Sequence, residues 1–285
     1  VYDRSKEEYY WEVQYGEKGL SFLYGNPFGR CLLKVAAGKI FSKVNAAYND
    51  STRSGAKIKS FIEKYKIDTK DFIQEEYDSF NSFFTRRLKP GSREVSTKKQ
   101  DLIAPADGKL LVYPIEKDLL IQVKNTTYSM GNILRDQKLS GEFEGGLCLV
   151  YRLSVDDYHR YCYVENGRVI ANRRIEGKLH TVSSISQDYK VFSENQREYQ
   201  VIETRNLGKI IQMEIGAMLV GRIINSKSQK SVKGLEKGHF SYGGSTVLVF
   251  IKAGKAVMDE DIQYRSHKGI ETKIRYGERI GRIVL

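Results

Sequence analysis

The chain has 285 residues, of which 40% are hydrophobic and 29% are charged. This composition excludes a wholly disordered chain and allows one large or two modest globular domains. Lys and Arg number 47 against 35 Asp and Glu, and this net charge of +12 favours an anionic partner such as nucleic acid, an acidic lipid surface or a phosphorylated metabolite. Three cysteines make no disulfide framework, and no apolar run reaches the roughly 18 residues that a membrane span needs.

The first third of the chain is predicted to be helical. Between residues 27 and 88, apolar side chains recur at helical spacing in three groups. The groups are Leu33, Ala36, Ala37, Ile40, Phe41, Val44 and Tyr48; Ile58, Phe61, Ile62 and Tyr65; and Phe80, Phe83, Phe84 and Leu88. We expect Asp68 and Asp78 to act as helix N-caps.

From about Leu102 onward, short apolar runs alternate with Gly, Asn and Asp, which is typical of β-strands. The clearest runs are 147–153, 210–215, 246–251 and 280–285. A polar connector at 91–100 joins the two parts. The sequence therefore predicts an α+β fold, with an N-terminal helical region over 1–93 and a β-rich catalytic body of mostly antiparallel strands over 94–285.

The first helical region is strongly basic. Residues 27–66 contain nine Lys or Arg against Asp50 and Glu63, a local charge of +7. The helices could cover a core and turn their basic side to solvent, or they could lie on an acidic membrane. In the second case each basic residue near the surface would contribute about 1 kcal/mol. The pattern alone leaves both interpretations open.

Four stretches contain the candidate functional residues: 83–93, 104–108, 156–162 and 233–246. The last places Gly243 and Gly244 directly before Ser245 at the start of an apolar run. Two glycines allow backbone conformations in which the serine hydroxyl approaches its own preceding carbonyl. Taken alone, these residues are more simply explained by ordinary turn chemistry, and so is Asp107 in its Pro-Ala-Asp-Gly turn.

Together these stretches resemble the phosphatidylserine decarboxylases, a family of self-cleaving, pyruvoyl-dependent proenzymes. The resemblance runs from Phe-Phe-x-Arg-x-Leu-Lys at 83–89 to Gly-Glu-x-Ile-Gly at 277–281, with four motifs in the family's order. Its most specific part is Lys-Gly-x-Glu-x-Gly-x-Phe followed by Gly-Ser-Thr, at 233–246.

The resemblance implies self-cleavage between Gly244 and Ser245. The Ser245 hydroxyl would attack the Gly244 carbonyl, and elimination from the resulting ester would leave a pyruvoyl group on the new N-terminus. The products would be a large chain of residues 1–244 and a small chain of residues 245–285. A weakly nucleophilic serine needs a base, for which a histidine is suited, and we assign the orienting carboxylate to Asp107.

The same resemblance implies the reaction of the mature enzyme. The pyruvoyl carbonyl would form a Schiff base with the amine of phosphatidylserine and accept the electrons left when CO2 departs, giving phosphatidylethanolamine. A general acid must then reprotonate the carbon. An imidazole with a pKa near neutrality suits this step, and His159 is the candidate.

One position departs from the family's usual Asp-Tyr-His-Arg-x-His, because Cys162 occupies the place of the second histidine. A thiol is a poor base unless its pKa is lowered. Either His159 serves both steps, or His180 or His239 approaches from another strand, or cleavage is slow or absent. Asp157, Cys162 and His239 are accessory candidates. His159 and Cys162 also have the spacing of a metal pair, but no second pair accompanies them, so we expect no metal site.

Given the resemblance, docking of the basic helices on an anionic membrane stands as an equal alternative to covering a core, and the resemblance predicts a peripheral protein on the cytoplasmic face. The expected partners are phosphatidylserine, that membrane surface and the large and small chains of one precursor, with a homodimer left open. No nucleic acid is expected, because no recognisable binding module accompanies the charge. Two other functions stay open: a non-processing homologue that binds acidic phospholipid without catalysis, and a pyruvoyl decarboxylase of another amine.

Overall fold

The computed structural model describes residues 1–12, 17–116, 120–123, 126–180, 190–217, 222–243 and 245–285. The predicted α+β class is confirmed, with most helical residues in the first third and most strands after residue 100. The helices are α1 (Glu17–Gly25), α2 (Pro27–Ala36), α3 (Lys39–Asp50), α4 (Ile58–Tyr65), α5 (Phe80–Phe84), α6 (Met130–Leu134), α7 (Gln137–Gly141), α8 (Val191–Glu194) and α9 (Glu260–His267), with a 3-10 helix at Thr52–Lys57.

The strands begin at the N-terminus and continue to the end of the chain. They are β1 (Tyr2–Asp3), β2 (Glu8–Tyr9), β3 (Asp101–Ile103), β4 (Gly108–Pro114), β5 (Leu120–Val123), β6 (Thr126–Ser129), β7 (Leu147–Leu153), β8 (Arg160–Cys162), β9 (Gly167–Ile175), β10 (Arg197–Thr204), β11 (Gly208–Gly216), β12 (Ile223–Asn225), β13 (Lys230–Ser231), β14 (Glu236–Phe240), β15 (Ser245–Ile251), β16 (Ala256–Met258), β17 (Thr272–Ile274) and β18 (Arg279–Ile283).

A ten-stranded sheet is the framework of the described chain, in the order β13-β9-β10-β11-β15-β7-β4-β17-β1-β2. Its neighbouring strands pair antiparallel, except that β1 runs parallel to β17. The mostly antiparallel character is therefore confirmed. Strand β15 lies near the centre, between β11 and β7, and all of its residues are buried.

The predicted strands were recognisable because both faces of the central strands are covered. Val247 and Val249 pack into one apolar cluster, and Leu248 and Phe250 pack into a second cluster on the other face. A strand buried on both faces has the continuous apolar sequence that was used to predict it. The predicted run at 147–153 coincides with β7, and the other three runs overlap β11, β15 and β18.

Both predicted N-caps are wrong. The Asp68 carboxylate accepts a hydrogen bond from the backbone N–H of Lys70, at 3.0 Å, in a turn that no helix follows. Helix α5 is capped by Ser79 rather than by Asp78. The Ser79 hydroxyl accepts from the N–H of Ser82, and the Ser82 hydroxyl accepts from the N–H of Ser79, which is a reciprocal capping box.

The helical region contacts the β-rich body through an aromatic cluster. Phe61 of α4 and Phe80, Phe83 and Phe84 of α5 pack together with Val155 and Tyr242. Tyr242 lies three residues before Ser245, so the cluster joins α5 to the start of the central strand. The domain boundary at residue 93 stays a prediction. Within the described residues, no helix has the length and apolar character needed to cross a membrane.

Candidate active site

Ser245 begins the central strand, where it pairs with Gly216 on β11 and with Leu153 on β7. The residue is fully buried, and its Oγ has no hydrogen-bond partner among the described residues. Gly243 has a φ of 135°, a conformation that residues with a side chain rarely adopt, so the turn before the strand requires glycine here. The other predicted residue of the cleavage site, Gly244, lies outside the described residues.

His159 lies in the connection between β7 and β8 and is fixed against the segment that leads to Ser245. Its carbonyl accepts a hydrogen bond from the N–H of Phe240, at 3.0 Å. The ring centroid of His159 lies 4.0 Å from that of Phe84, and the Phe84 centroid lies 5.2 Å from that of Tyr242. The motifs at 83–93, 156–162 and 233–246 therefore meet at one end of β7 and β15.

The hydrogen bond of His159 defines its tautomer. Its Nδ1 lies 2.9 Å from the backbone oxygen of Asp157. Because a carbonyl only accepts, Nδ1 carries the proton and Nε2 is left as an acceptor. Nε2 is buried and has no partner among the described residues. Neither Nε2 nor the Ser245 Oγ is hydrogen-bonded, so the two atoms are not bonded to each other in this structure.

Burial lowers the pKa of His159 to about 3, against the weaker opposing effects of the Asp157 carboxylate and backbone. The positive charges of Arg86 and Lys109 lower it further. The uncut chain thus does not give His159 the near-neutral pKa expected of a general acid, because the effect of the Asp157 carboxylate is smaller than that of full burial. The neutral ring leaves Nε2 unprotonated.

Asp157 supports His159 through the backbone. Its Oδ2 accepts from Lys109 Nζ and from the N–H of Ser154, both at 2.7 Å. Lys109 is itself buried, and its Nζ also lies 3.2 Å from a carboxylate oxygen of Glu12. These contacts hold the loop after β7, and with it the carbonyl that binds the imidazole.

Asp107 lies in the turn between β3 and β4 and is bound by other groups than a histidine. Arg93 donates from Nη1 and Nη2 to its two oxygens, at 2.8 and 3.3 Å, and the N–H of Tyr276 donates to Oδ1 at 2.7 Å. The structure thus does not bring Asp107 into hydrogen-bond contact with His159. Sequence reasoning missed Arg93 as its partner, although Arg93 belongs to the first motif.

Cys162 lies beside the turn that contains Asp107. Its N–H donates to Pro105 O at 2.8 Å, and its Sγ lies 3.8 Å from Ala104 O. The side chain is fully buried, and burial raises the pKa of the thiol to about 12. The thiol is therefore protonated and cannot act as the missing base.

The other two candidate histidines occupy different surroundings. His239 lies on β14 opposite Arg160, and burial, with Arg160 and Arg87, lowers its pKa to about 4. The Nδ1 of His180 lies 3.4 Å from the hydroxyl of Tyr24 on α1. Neither ring is hydrogen-bonded to Ser245, whose Oγ has no partner in the described chain.

Two buried, unpartnered atoms lie at this site, and they are two of several such atoms in the described chain. An unsatisfied buried polar atom costs about 1–3 kcal/mol, so each one calls for an explanation. Ser245 Oγ and His159 Nε2 are two such atoms, one nucleophilic and one basic. The arrangement is suited to a reaction at the serine hydroxyl. No group of three or more potential metal ligands occurs in the described part of the chain.

Comparison with known proteins identifies the family. The model of the family described as phosphatidylserine decarboxylase matches residues 80–282. The chain is 49% identical over 283 residues to phosphatidylserine decarboxylase proenzyme 2 of Clostridium acetobutylicum, covering 99% of this chain and 97% of that protein. It is 39% and 36% identical to phosphatidylserine decarboxylase proenzymes of two Clostridium botulinum strains, covering at least 98% of each chain. The chain belongs to the phosphatidylserine decarboxylase family, whose members are carboxy-lyases.

Proposed function

We propose that this chain is a proenzyme that cleaves itself between Gly244 and Ser245 and then decarboxylates phosphatidylserine to phosphatidylethanolamine. The observation that carries the proposal is the pair of buried, unpartnered atoms, Ser245 Oγ and His159 Nε2. The names of the relatives support the substrate and the processing. Gly243, in its left-handed conformation, supports a bent backbone at the cleavage site.

In self-cleavage, His159 is the base. As the Ser245 oxygen bonds to the carbonyl carbon of Gly244, its proton passes to the neutral Nε2 of His159. The C–N bond then breaks, and the imidazolium returns the proton to the amine nitrogen of Ser245. Loss of the Ser245 α-proton and of the Gly244 carboxylate leaves dehydroalanine. Tautomerisation and hydrolysis of this group release ammonia and leave the pyruvoyl end. The two atoms must approach each other before the first step, since they are not hydrogen-bonded to each other in the structure.

The residues fit a pyruvoyl group at position 245, because this residue starts a buried strand and its Oγ has no competing partner among the described residues. The group would supply a carbonyl that accepts electrons when CO2 leaves its substrate. His159 lies at the same end of β15. In its protonated form it would deliver a proton to the substrate carbon that has lost CO2. Asp157 and Lys109 hold the loop that orients it.

Two matched substitutions test the cleavage site. Ser245→Ala should leave one uncut, inactive chain, because the nucleophile is missing. Ser241→Ala removes another buried hydroxyl without a partner in the described chain, four residues earlier, and should still cut. Gel electrophoresis and intact mass spectrometry distinguish the outcomes. Two chains from Ser245→Ala would refute the assigned bond.

The exposed face of α2 and α3 supports docking on an anionic membrane. The predicted apolar stripe divides: Leu33 and Ala37 are buried, whereas Ile40 is 81% and Val44 is 65% exposed. Phe28, Leu32, Phe41 and Tyr48 are also largely exposed. An apolar helix face beside a local charge of +7 is suited to the interface of an acidic bilayer. We propose this face as the contact with phosphatidylserine-containing membranes; the cytoplasmic side and a homodimer stay predictions.

Substitution on this face tests the docking. Ile40→Glu with Val44→Glu should reduce sedimentation with phosphatidylserine vesicles by at least about tenfold, because two apolar contacts are lost and two like charges face the lipid. Val257→Glu changes an exposed apolar residue on β16 and is the matched control. Equal sedimentation of both variants would place the membrane contact elsewhere.

Cys162 favours a second candidate function. Its buried, protonated thiol stands where the family usually has a histidine. A chain that never cuts itself would then bind acidic phospholipid without catalysis. Pure protein that remains a single chain and still sediments with phosphatidylserine vesicles would support this function over the first.

A further inference from the structure

Arg86 is a buried arginine without a carboxylate partner in the described chain. The residue is 2% exposed, and the one hydrogen bond of its guanidinium within the described residues is a long contact of Nη1 with Phe83 O, at 3.5 Å. Its Nε is buried and has no partner among the described residues. A guanidinium has several N–H donors in one plane, and a buried cation that leaves them unused is costly.

Four further arginines with little exposure show which partners a buried guanidinium has elsewhere in this chain. Each has either a carboxylate or several carbonyls: Arg93 binds Asp71 and Asp107, Arg152 binds Glu12 and Glu271, Arg160 binds Glu236, and Arg197 donates to the carbonyls of Asn132, Ile133 and Asn195. Arg86 lacks any such set, and its Nε is left without a partner among the described residues.

Two aromatic rings hold the Arg86 guanidinium in place. Its central carbon lies 4.3 Å from the ring centroid of Phe72 and 5.0 Å from that of Phe83. Cation–π contacts of this kind stabilise the charge and fix the plane, but they do not satisfy the N–H groups. Burial lowers the pKa of Arg86 despite the nearby Asp107 carboxylate, whose oxygens are bound by Arg93 and Tyr276.

Arg86 belongs to the same region as His159. It follows Phe84, whose ring packs on the imidazole, by two residues. Its carbonyl accepts from Arg160 Nε at 3.2 Å, and Arg160 directly follows His159. The positive charge of Arg86 lowers the pKa of His159. Tyr242 lies two residues before the proposed cleavage site. After cleavage, the new C-terminus of the large chain would therefore lie in this region.

We infer that the Arg86 guanidinium binds the phosphodiester of the substrate headgroup, an inference that rests on the proposed function. The planar fork of donors matches two phosphate oxygens. A carboxylate is the less suitable ligand, because its charge leaves with CO2. A cation bound to it would stabilise the ground state more than the transition state and slow the reaction. The phosphodiester keeps its charge from substrate to product, so Arg86 is a residue for binding.

The test uses mature enzyme and two soluble probes. Glycerophosphoethanolamine has the phosphodiester but no carboxylate, and L-serine has the carboxylate but no phosphodiester. Arg86→Gln should raise KM for phosphatidylserine and weaken glycerophosphoethanolamine binding by about 10- to 100-fold each, the usual effect of losing a charged hydrogen bond. The kcat and the weak binding of L-serine should change by less than about twofold. Arg87→Gln removes an exposed arginine next along the chain and is the control.

The outcomes distinguish whether Arg86 binds the phosphodiester, binds the carboxylate or has only a structural role. If Arg86→Gln weakens L-serine and leaves glycerophosphoethanolamine unchanged, the residue binds the carboxylate and the inference is wrong. If it lowers only thermal stability, with KM and both probes unchanged, its role is structural and the inference is also wrong. Arg86→Lys keeps the charge and should recover part of the affinity should Arg86→Gln fold poorly. Binding of the probes by calorimetry remains measurable if wild type does not decarboxylate, so the two proposals can fail separately.

Discussion

The neutral state of His159 leads to a specific prediction about the pH dependence of self-cleavage. In an ordinary histidine with a pKa near 6.5, acid removes the base form as the pH falls from 7 to 5. In this chain burial lowers the pKa of His159 to about 3. The ring therefore keeps its free Nε2 over the whole interval.

The loss of neutral imidazole between pH 7 and pH 5 differs greatly between an ordinary histidine and His159. An imidazole of pKa about 6.5 is roughly three-quarters neutral at pH 7 and roughly 3% neutral at pH 5, a loss of about 25-fold in base. With the pKa at about 3, the neutral fraction at pH 5 is still about 99%. The rate of the first step should therefore change by less than about twofold between pH 7 and pH 5.

The assay isolates the acyl shift from later steps. Precursor made by brief cell-free synthesis is diluted into buffers from pH 5 to 8 at constant ionic strength, with hydroxylamine present to cut the ester. Gel densitometry then reports the rate at which the chain divides. Ser245→Ala is the blank, and His159→Gln should slow the division by about 10²- to 10⁴-fold, as loss of a general base does.

Two results would contradict the role of a buried, neutral His159 as the base. A rate that falls about 25-fold toward pH 5 would show a base with the pKa of an exposed histidine, and would direct attention to another residue. A His159→Gln precursor that divides as fast as wild type would remove His159 from the step, whatever the pH profile.

Three further predictions follow from the same contacts. The first uses uncut Ser245→Ala protein, in which the unfolded state binds a proton at His159 below pH 6.5 whereas the folded state does not until about pH 3. The free energy of unfolding should therefore decrease as the pH is lowered, and His159 should account for about 2 kcal/mol of that decrease at pH 5. Adding His159→Gln should remove that share, as urea unfolding at pH 7 and 5 would report. Cys162→Ser should cut within about twofold of the wild-type rate, because a thiol with a pKa of about 12 is no base, and a large loss would show that the thiol takes part. Phe84→Ala should cost about 3–5 kcal/mol in thermal or urea unfolding and slow cleavage, while Phe84→Leu should cost less, and equal effects would contradict a role for the ring against His159.

Much of the fold could be predicted because its signals are local. The central strands are buried on both faces, so their sequences are continuous apolar runs, and the helices repeat their apolar residues at helical spacing. Helix α9 gave no such signal, since only Ile262 and Ser266 of its residues are buried. The parallel pairing of β1 with β17 joins the two ends of the chain, which local patterns do not report.

The sequence indicated candidate site residues but not their pairings. The motifs pointed to Ser245, His159 and Asp107, which come from distant parts of the chain, and their roles stay predictions. The sequence does not say which charged groups meet, and the partner of Asp107 proved to be Arg93. The pKa of His159 depends on its burial beneath Phe84, a tertiary contact. The apolar stripe of α3 likewise gave no sign that Ile40 and Val44 would be exposed.

Intact mass spectrometry of the purified, denatured protein shows whether the chain cleaves itself. Self-cleavage would give two chains divided after Gly244, the smaller one lighter by one ammonia than residues 245–285 and blocked at its N-terminus. A single chain of full mass, unchanged after prolonged incubation, would rule out self-cleavage.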